Sequence, residues 1–302
     1  MSDDNHTDGS NYGYTPSPAW CLAFIVLFSV SATVHSIQAF RYKYWIIYPT
    51  LVLGALVEVL GWSGRYWSSQ NVTLLTPFLM QISTLIMAPV FFSAYDYVVL
   101  GMAINRLGPQ YSLLQPKYYF ATFITADIIS LVLQAIGGGK ASSSAAEGAP
   151  TQSATNIMVA GIIFQLVSMG VFIGLGIDFL LRATAEKPYA FRVRQIERNN
   201  AKKAQKAMAT GERKDSNEEY EHQHIRAWWI LLIGVGISSL MILIRGIYRS
   251  IELTQGWTGH LMTTEMYQNI LDALMMLIAV GIYNFIHPGY LLPRKKTWKG
   301  YH

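Results

Sequence analysis

The sequence predicts an all-α integral membrane protein in which seven transmembrane helices form a bundle. Of its 302 residues, 52% are hydrophobic and only 14% are charged, whereas a soluble domain carries about 25% charged residues. A membrane-spanning helix needs roughly 20 mostly apolar residues, and seven segments meet this requirement. The predicted spans lie at about residues 19–39, 45–62, 77–104, 118–136, 157–181, 227–248 and 267–286.

The spans divide the chain into an N-terminal tail, a membrane domain and a basic C-terminal tail. The predicted boundaries of these regions are 1–18, 19–287 and 288–302. The first tail holds Asp3, Asp4 and Asp8 but no Lys or Arg. This is unlike the basic start of a secretory signal peptide, so we expect the first span to remain in the protein. Residues 137–155 are mostly small, and we expect a flexible external loop there.

The distribution of positive charge predicts the orientation of the bundle. Nineteen of the 23 Lys and Arg residues fall after spans one, three and five or in the C-terminal tail. Because positively charged loops of membrane proteins stay in the cytosol, we expect the N-terminus outside and the C-terminus in the cytosol. Two N-x-T sequons, at Asn5 and Asn71, lie on the predicted external side and are candidate glycosylation sites.

The loop at 182–226 alone holds eleven Lys or Arg residues and is expected to be a cytosolic helix or a disordered arm. Its stretch 192–206 has two interpretations, a contact with anionic lipids of the inner leaflet or a solvated positive loop. The net charge of +5 does not indicate a nucleic-acid partner, because the basic residues are concentrated in a few short loops.

Polar residues inside the predicted spans are the main functional signal. An ionisable residue there costs roughly 2.5–3.5 kcal/mol on insertion scales, so it needs a compensating interaction. Counting along spans two, four, six and seven places nine polar residues, eight of them ionisable, at a similar height in the outer half of the membrane. They are Glu58, Arg65, Asp127, Gln134, Arg245, Arg249, Glu252, Glu265 and Asp272.

The stretch IRGIYRSIEL at 244–253 shows the pattern in one span. Arg245, Arg249 and Glu252 are spaced i, i+4 and i+7, so a helix places all three on one face. We expect this face to contact other helices and not lipid. Asp96 and Asp178 are predicted nearer the cytosolic side, where we expect them to be structural partners. Pro89 in span three predicts a kink or a strong tilt.

Two interpretations of the outer polar layer are open. Either its charges pair and hold the bundle together, or they line a polar cavity that opens towards the outer leaflet. We favour the cavity, because the layer contains five carboxylates and three arginines. An unpaired carboxylate in a low-dielectric environment protonates or attracts a cation, so the expected guest is an amphipathic amine or a proton.

Several motifs run through most of the chain. They are EVLGWSGRY (58–66), APVFFSAYDYVVLG (88–101), FITADIISLVLQAIGGG (123–139), GIIFQLVSMGVF (161–172), IRGIYRSIELTQGWTG (244–259), EMYQNILDALMM (265–276) and HPG (287–289). Together they resemble the fungal lipid-translocating exporter family, the RTA-like proteins linked to aminosterol and toxicant resistance. The combination of R-x-x-x-R-x-x-E, E-x-x-x-x-x-x-D and HPG carries the resemblance most specifically. Trp62 departs from the pattern, because the family more often has Tyr there.

The resemblance covers roughly residues 20–290 and implies a multi-pass protein of the fungal plasma membrane, with another endomembrane as the alternative. It implies export or translocation of sphingoid long-chain bases, with resistance to toxic lipids or sterol-like drugs. It also implies a role for the nine polar residues of the outer layer, without deciding between substrate binding and fold stability.

Three classes of function follow from the sequence. The first is a lipid transporter or flippase, not an enzyme and without a cofactor. Since GGGK at 137–140 lacks the Walker spacing, its transport would be facilitated or driven by an ion gradient. The second is a lipid receptor or sensor that signals through the basic loop. The third is a metal-dependent membrane hydrolase, which needs about three ligands at one depth. The histidines do not meet this requirement, because His35 and His287 are expected at the inner face and His260 on the external side.

Overall fold

The computed structural model describes residues 14–146, 150–210, 225–255 and 259–291. Throughout these ranges the regular structure is helical, and they contain no strand. The α-helices are α1 (Pro18–Tyr42), α2 (Leu53–Gln70), α3 (Leu75–Leu107), α4 (Pro116–Ala146), α5 (Gln152–Thr184), α6 (Ala190–Thr210), α7 (Ile225–Gln255), α8 (Glu265–Tyr267), α9 (Met275–Phe285) and α10 (Pro288–Leu291).

Two π-helical segments extend the second and seventh spans. Tyr48–Val52 leads into α2, and Gln268–Leu274 joins α8 to α9. Short 3-10 turns lie at Trp45–Ile47 and Pro109–Tyr111. With these segments included, the described chain has seven stretches that are long and apolar enough to cross a membrane, which confirms the predicted number. They are Pro18–Tyr42, Trp45–Gln70, Leu75–Leu107, Pro116–Ala141, Gln152–Thr184, Arg226–Gln255 and Glu265–Leu291.

α3 is the central helix of the bundle. It contacts α2, α4 and α7, while α5 packs against α4 and α7, and α1 packs against α2 and α9. Large aromatic side chains such as Trp62, Phe92 and Tyr283 are fully buried among these helices. The outer faces carry exposed apolar side chains, of which Phe40 and Phe285 are examples. Such a continuous apolar exterior is typical of a membrane-embedded surface.

Glycine allows α2 and α3 to approach closely. A Cβ atom on Gly64 would lie 3.1 Å from the carbonyl oxygen of Pro77 and 3.2 Å from the backbone nitrogen of Gln81. Small residues commonly permit such close helix packing in membranes. The contact holds the polar face of α2, with Glu58 and Arg65, inside the bundle.

The prediction of a flexible loop at 137–155 is wrong for most of its length. α4 continues through the glycine-rich segment to Ala146, and α5 begins at Gln152. Glycine in a helix costs only about 1 kcal/mol relative to alanine, and packing against α5 offsets that cost here. A Cβ atom on Gly137 would lie 2.6 Å from the backbone nitrogen of Met158, so the glycine is what permits this contact.

The basic loop between spans five and six contains the helix α6. Its first turn is attached to the connection between α3 and α4. Arg192 donates from Nε to the carbonyl oxygen of Ser112 at 3.1 Å and from Nη2 to that of Leu113. The backbone nitrogen of Tyr189 donates to the carbonyl oxygen of Gln110 at 2.9 Å. The helix therefore starts from a fixed position beside the bundle.

Candidate functional site

Five buried charged residues of spans two, six and seven lie together in what we term the central cluster, and the four from spans six and seven form an ion-pair network. The members of the central cluster are Glu58, Arg245, Arg249, Glu252 and Asp272, each at most 6% exposed. Arg245 donates from Nε to Asp272 Oδ1, and Arg249 Nε lies 3.7 Å from Asp272 Oδ2. Arg249 also donates from Nη1 to Glu252 Oε2 at 2.5 Å. Arg245, Arg249 and Glu252 therefore face other helices, as expected from their spacing.

Glu58 gives the central cluster an excess of negative charge. Glu58 lies near enough to Arg245, Asp272 and Arg249 to interact with them electrostatically. Its Oε1 atom accepts no hydrogen bond from the residues that the structure describes. With Glu58 ionised, the cluster contains three carboxylates and two guanidinium groups. Because an uncompensated buried charge is costly, this arrangement favours a bound proton or a cation.

A proline in α3 supplies the central cluster with a hydrogen-bond acceptor. Pro89 has no backbone N–H, so the carbonyl oxygen of Leu85, four residues earlier, lacks its helical donor. Arg245 donates from Nη2 to this oxygen. The arginine therefore joins α7 to α3 through Leu85 and to span seven through Asp272.

Asp272 lies within the π-helical segment Gln268–Leu274. π-helical turns are rare in proteins, but those that do occur are often found at functional sites. The added residue changes which side chains face inward. Here Gln268, Asn269 and Asp272 are all buried on the inner face. The segment therefore directs one amide and one carboxylate towards Arg65 and Arg245, respectively.

A second network, the upper cluster, lies on the side of the bundle where α1 begins. Its members are Tyr14, Ser17, Arg65, Glu265 and Gln268. Arg65 donates from Nη1 to Gln268 Oε1 at 2.9 Å, and its Nη2 lies 3.5 Å from Glu265 Oε1. The backbone nitrogen of Ser17 donates to the same Glu265 oxygen at 2.8 Å. Arg65 is fully buried, so the upper cluster covers this end of the bundle.

Tyr14 completes the upper cluster from outside the spans. Its hydroxyl accepts a hydrogen bond from Arg65 Nη2, and its ring lies 5.7 Å from the Arg65 guanidinium carbon. Burial raises the pKa of the Tyr14 phenol above its usual value, so the phenol remains neutral beside the arginine. The Trp62 ring also lies 5.7 Å from this guanidinium, which adds a second cation–π contact.

The predicted polar layer is thus two clusters at different heights. Glu58 and Arg65 are seven residues apart on α2, and Glu265 and Asp272 are seven apart in span seven. Seven residues of helix extend about 10.5 Å. Each of these pairs is therefore divided between the two clusters, and the sequence prediction merged the two successive levels into one.

Asp127 does not belong to either cluster, which corrects its predicted place in the layer. Its Oδ2 accepts hydrogen bonds from Ser93 Oγ at 2.8 Å and from the Tyr97 hydroxyl at 2.9 Å. Ser93 lies eight residues beyond Leu85 on α3, about 12 Å along the helix axis. Asp127 is therefore paired with hydroxyl groups of α3 deeper in the bundle, away from the arginines.

Gln134, two turns from Asp127 on α4, lines the same cavity as Arg245 and Arg249. Its Nε2 donates to Ser130 Oγ at 2.6 Å and to Gln165 Oε1 at 3.1 Å. With Arg245 and Arg249 it lines a small cavity of about 30 Å³. We term this the polar cavity.

Several polar partners of these clusters were not predicted from the sequence. The Tyr248 hydroxyl donates to Glu252 Oε1 at 2.9 Å, and Gln165 accepts from Gln134. Gln165 is a polar residue in an otherwise apolar span, and Gln268 follows Glu265 by three residues. These two sequence features could have identified Gln165 and Gln268. Tyr14 lies before the first span, where no pattern connects it to Arg65.

Asp96 and Asp178 have the structural partners expected for them. Asp96 accepts hydrogen bonds from Ser239 Oγ at 2.9 Å and from the Tyr283 hydroxyl. Asp178 accepts from Arg182 Nε at 2.9 Å and from the Tyr189 hydroxyl at 2.8 Å. The first set joins α3 to α7 and α9, and the second joins α5 to the start of the basic loop.

The described residues hold no metal site, and one of the two predicted glycosylation sites lies among them. Across the described ranges, no three His, Cys, Asp or Glu side chains are arranged to hold a metal ion. Asn71 is exposed at the end of α2, in the turn before α3. Asn5 lies outside the described residues. Glycosylation at both asparagines stays a prediction.

Comparison with known proteins identifies clear relatives. The family profile described as "RTA1 like protein" matches residues 51–295. The "Sphingoid long-chain base transporter RSB1" of Saccharomyces cerevisiae (strain JAY291) is 33% identical over 298 residues, which cover 94% of this chain and 75% of that protein. "Protein RTA1" of Saccharomyces cerevisiae (strain ATCC 204508 / S288c) is 27% identical, covering 92% of this chain and 84% of that protein. No solved structure matches the chain.

Proposed function

Because the chain belongs to the RTA1-like family, we propose that it translocates sphingoid long-chain bases or closely related amphipathic amines across a membrane. One relative is named as a transporter of such bases and is similar along nearly the whole chain. The proposed activity moves the lipid without a covalent step, so it requires neither a catalytic group nor a cofactor.

The central cluster is the observation that carries this proposal. It places Glu58, Glu252 and Asp272 beside two arginines in the middle of the bundle. A protonated amine brings one positive charge, which balances the excess carboxylate. The cost of moving a charged headgroup through the membrane is lowered when the headgroup meets an opposite charge along its path. In the absence of the amine, a proton on Glu58 serves the same purpose.

We also propose that the N-terminus is extracellular, that the C-terminus is cytosolic and that the protein is in the plasma membrane. The positive charge of the loops supports this orientation. On α6, the exposed Arg194, Arg198 and Lys202 follow one another at intervals of four residues, so they form one basic stripe along the helix. This stripe is suited to the anionic headgroups of the inner leaflet.

The direct test uses purified protein reconstituted into liposomes that contain a radiolabelled sphingoid base in the inner leaflet. Appearance of the base in the outer leaflet is followed by extraction with albumin added outside. We expect protein-dependent transfer that is strongly reduced by Asp272→Asn. Protein-free liposomes and liposomes with a phosphatidylcholine analogue serve as controls.

A receptor or sensor gives the opposite outcome in the same experiment. It would bind the base with no increase in transfer over protein-free liposomes. The fixed position of α6 beside the α3–α4 connection is the feature that would suit a signalling partner. Binding without transfer would therefore replace the transporter hypothesis with the sensor hypothesis.

A further inference from the structure

A large apolar groove lies between α3 and α4, on the same side of the bundle as the upper cluster. Its volume is about 680 Å³, within the range of roughly 300–1,000 Å³ that is typical of ligand pockets. The α3 wall includes Leu79, Ile82 and Met87, and the α4 wall includes Ile128 and Val132. Met87, Ile128 and Val132 are about half exposed, so the groove opens on the surface that faces lipid.

The groove adjoins the polar cavity. Gln134 and Ile86 line both spaces, so the apolar groove and the polar cavity meet at these two side chains. Gln134 is only 4% exposed. Beyond it lie Arg245 and Arg249 of the central cluster. A molecule that enters from the lipid therefore meets an apolar wall first and buried polar groups last.

Arg249, which lines the polar cavity, has a buried donor without a partner among the described residues. Arg249 uses Nη1 for Glu252, but its Nη2 makes no hydrogen bond to the residues that the structure describes. Arg249 is 6% exposed, so this N–H group is also shielded from water. Leaving such a donor unsatisfied is costly, and a ligand oxygen would satisfy it. A crevice that only accommodates bulk lipid tails would have no such group at its end.

The size of the polar cavity restricts the chemistry of that ligand. The cavity is small, about 30 Å³, which suits a small polar group such as a hydroxyl. A hydroxyl accepts one hydrogen bond and donates another. Arg249 Nη2 can donate to it. Gln134 Nε2 and Gln165 Oε1 are hydrogen-bonded to each other, and a hydroxyl that inserts between them would accept from the first and donate to the second.

We propose that the α3–α4 groove binds the alkyl chain of a single-chain lipid, whose head carries a hydroxyl that enters the polar cavity beside Gln134 and Arg249. This inference rests on the proposed function, in which the amine of the lipid lies against the negative central cluster. It adds that the hydroxyl of the base is recognised separately from its charge. The groove is a single channel between two helices, so it takes one chain.

Binding of two radiolabelled probes to the purified protein in nanodiscs tests the site. Sphinganine carries an amine and two hydroxyls, whereas octadecylamine has the same chain length and the amine alone. We expect wild type to bind sphinganine about five- to tenfold more tightly, the effect of one or two hydrogen bonds. Gln134→Leu should weaken sphinganine binding to the level of octadecylamine and leave octadecylamine unchanged.

A pair of tryptophan variants tests the groove itself. Ala135 lines the groove, whereas Ile136, the next residue on α4, is exposed and does not line it. Ala135→Trp should weaken binding of both probes at least tenfold, and Ile136→Trp should bind both like wild type. Val132→Trp, also in the groove, replaces Ala135→Trp if that variant is not recovered as a monodisperse protein.

The outcomes separate this site from transport. If the tryptophan variants in the groove are monodisperse and bind both probes as tightly as wild type does, the groove is not the binding site. This holds even if the protein moves sphingoid bases in liposomes. Equal loss of both probes in Gln134→Leu, or tighter binding of sphinganine 1-phosphate than of sphinganine, would overturn hydroxyl recognition. If the expected pattern of binding appears without transfer between leaflets, the site stands and the transport function fails.

Discussion

Arg245 donates a hydrogen bond to the carbonyl oxygen of Leu85, the oxygen that Pro89 leaves without a helical donor. A proline within a membrane span usually attracts attention as a source of bending. Here its chemical consequence is an acceptor inside the bundle, used by an arginine of another helix. The same guanidinium pairs with Asp272, so one side chain joins three spans at the central cluster.

Replacement of this proline should separate stability from transport. In Pro89→Ala, the new N–H can donate to Leu85 and compete with Arg245. Since proline costs about 3 kcal/mol in a helix interior, we expect an equal or higher melting temperature in detergent. Transfer of a sphingoid base should nevertheless fall several-fold, because Arg245 loses its fixed acceptor.

Pro77 provides the matched control for this change. It lies in the first turn of α3, where a backbone N–H has no helical partner in any case. Pro77→Ala should therefore leave transfer unchanged. A Pro89→Ala protein that transports like wild type would show that the Leu85 contact does not position Arg245.

The buried pair between Arg245 and Asp272 should behave as a coupled unit. Removing one partner leaves an uncompensated buried charge, which typically costs about 3–5 kcal/mol. We expect large decreases in thermal stability for Arg245→Met and for Asp272→Leu. The double variant should lose much less than the sum of the two, because both charges are then absent. Melting temperatures of all four proteins in one detergent give the comparison, and additive losses would contradict direct pairing.

Glu58→Gln should have a different effect, since it removes the excess charge and not a paired one. The variant keeps nearly the same shape while it eliminates the cost of a buried carboxylate. We expect an equal or higher melting temperature and a loss of amine affinity of about tenfold. Equilibrium binding of radiolabelled octadecylamine measures this affinity, because this probe has no hydroxyl.

Glu265→Gln is the comparison for Glu58→Gln, because Glu265 belongs to the upper cluster and pairs with Arg65. It should reduce stability and leave octadecylamine binding close to wild type. Equal binding by the Glu58→Gln protein and wild type would remove Glu58 from the path of the amine.

Periodicity predicted those features that depend on one helix at a time. Seven apolar stretches predicted the seven spans, and the spacing of Arg245 and Arg249 predicted their inward direction. Depth is a relation between helices, which counting along each helix cannot supply. Asp127 was therefore placed beside the arginines although it pairs with Ser93 and Tyr97.

Other features depended on tertiary contacts that the sequence does not contain in readable form. Gly137 looked like part of a flexible loop, but its lack of a side chain permits the contact of α4 with Met158. The contact between Tyr14 and Arg65 joins a tail to a span 51 residues later along the chain. Composition could not predict either contact, because each depends on how the helices pack.

The start of α6 should be held in place by Arg192. This arginine is 8% exposed and donates to the backbone carbonyls of Ser112 and Leu113. In Arg192→Ala we expect backbone amides of α6 to exchange hydrogen for deuterium at least tenfold faster than in wild type, while the spans remain protected. Arg194→Ala is the control, because Arg194 is exposed on the same helix. This substitution should leave the hydrogen exchange of α6 unchanged. Equal exchange in the two variants would mean that the buried arginine does not hold α6 against the bundle.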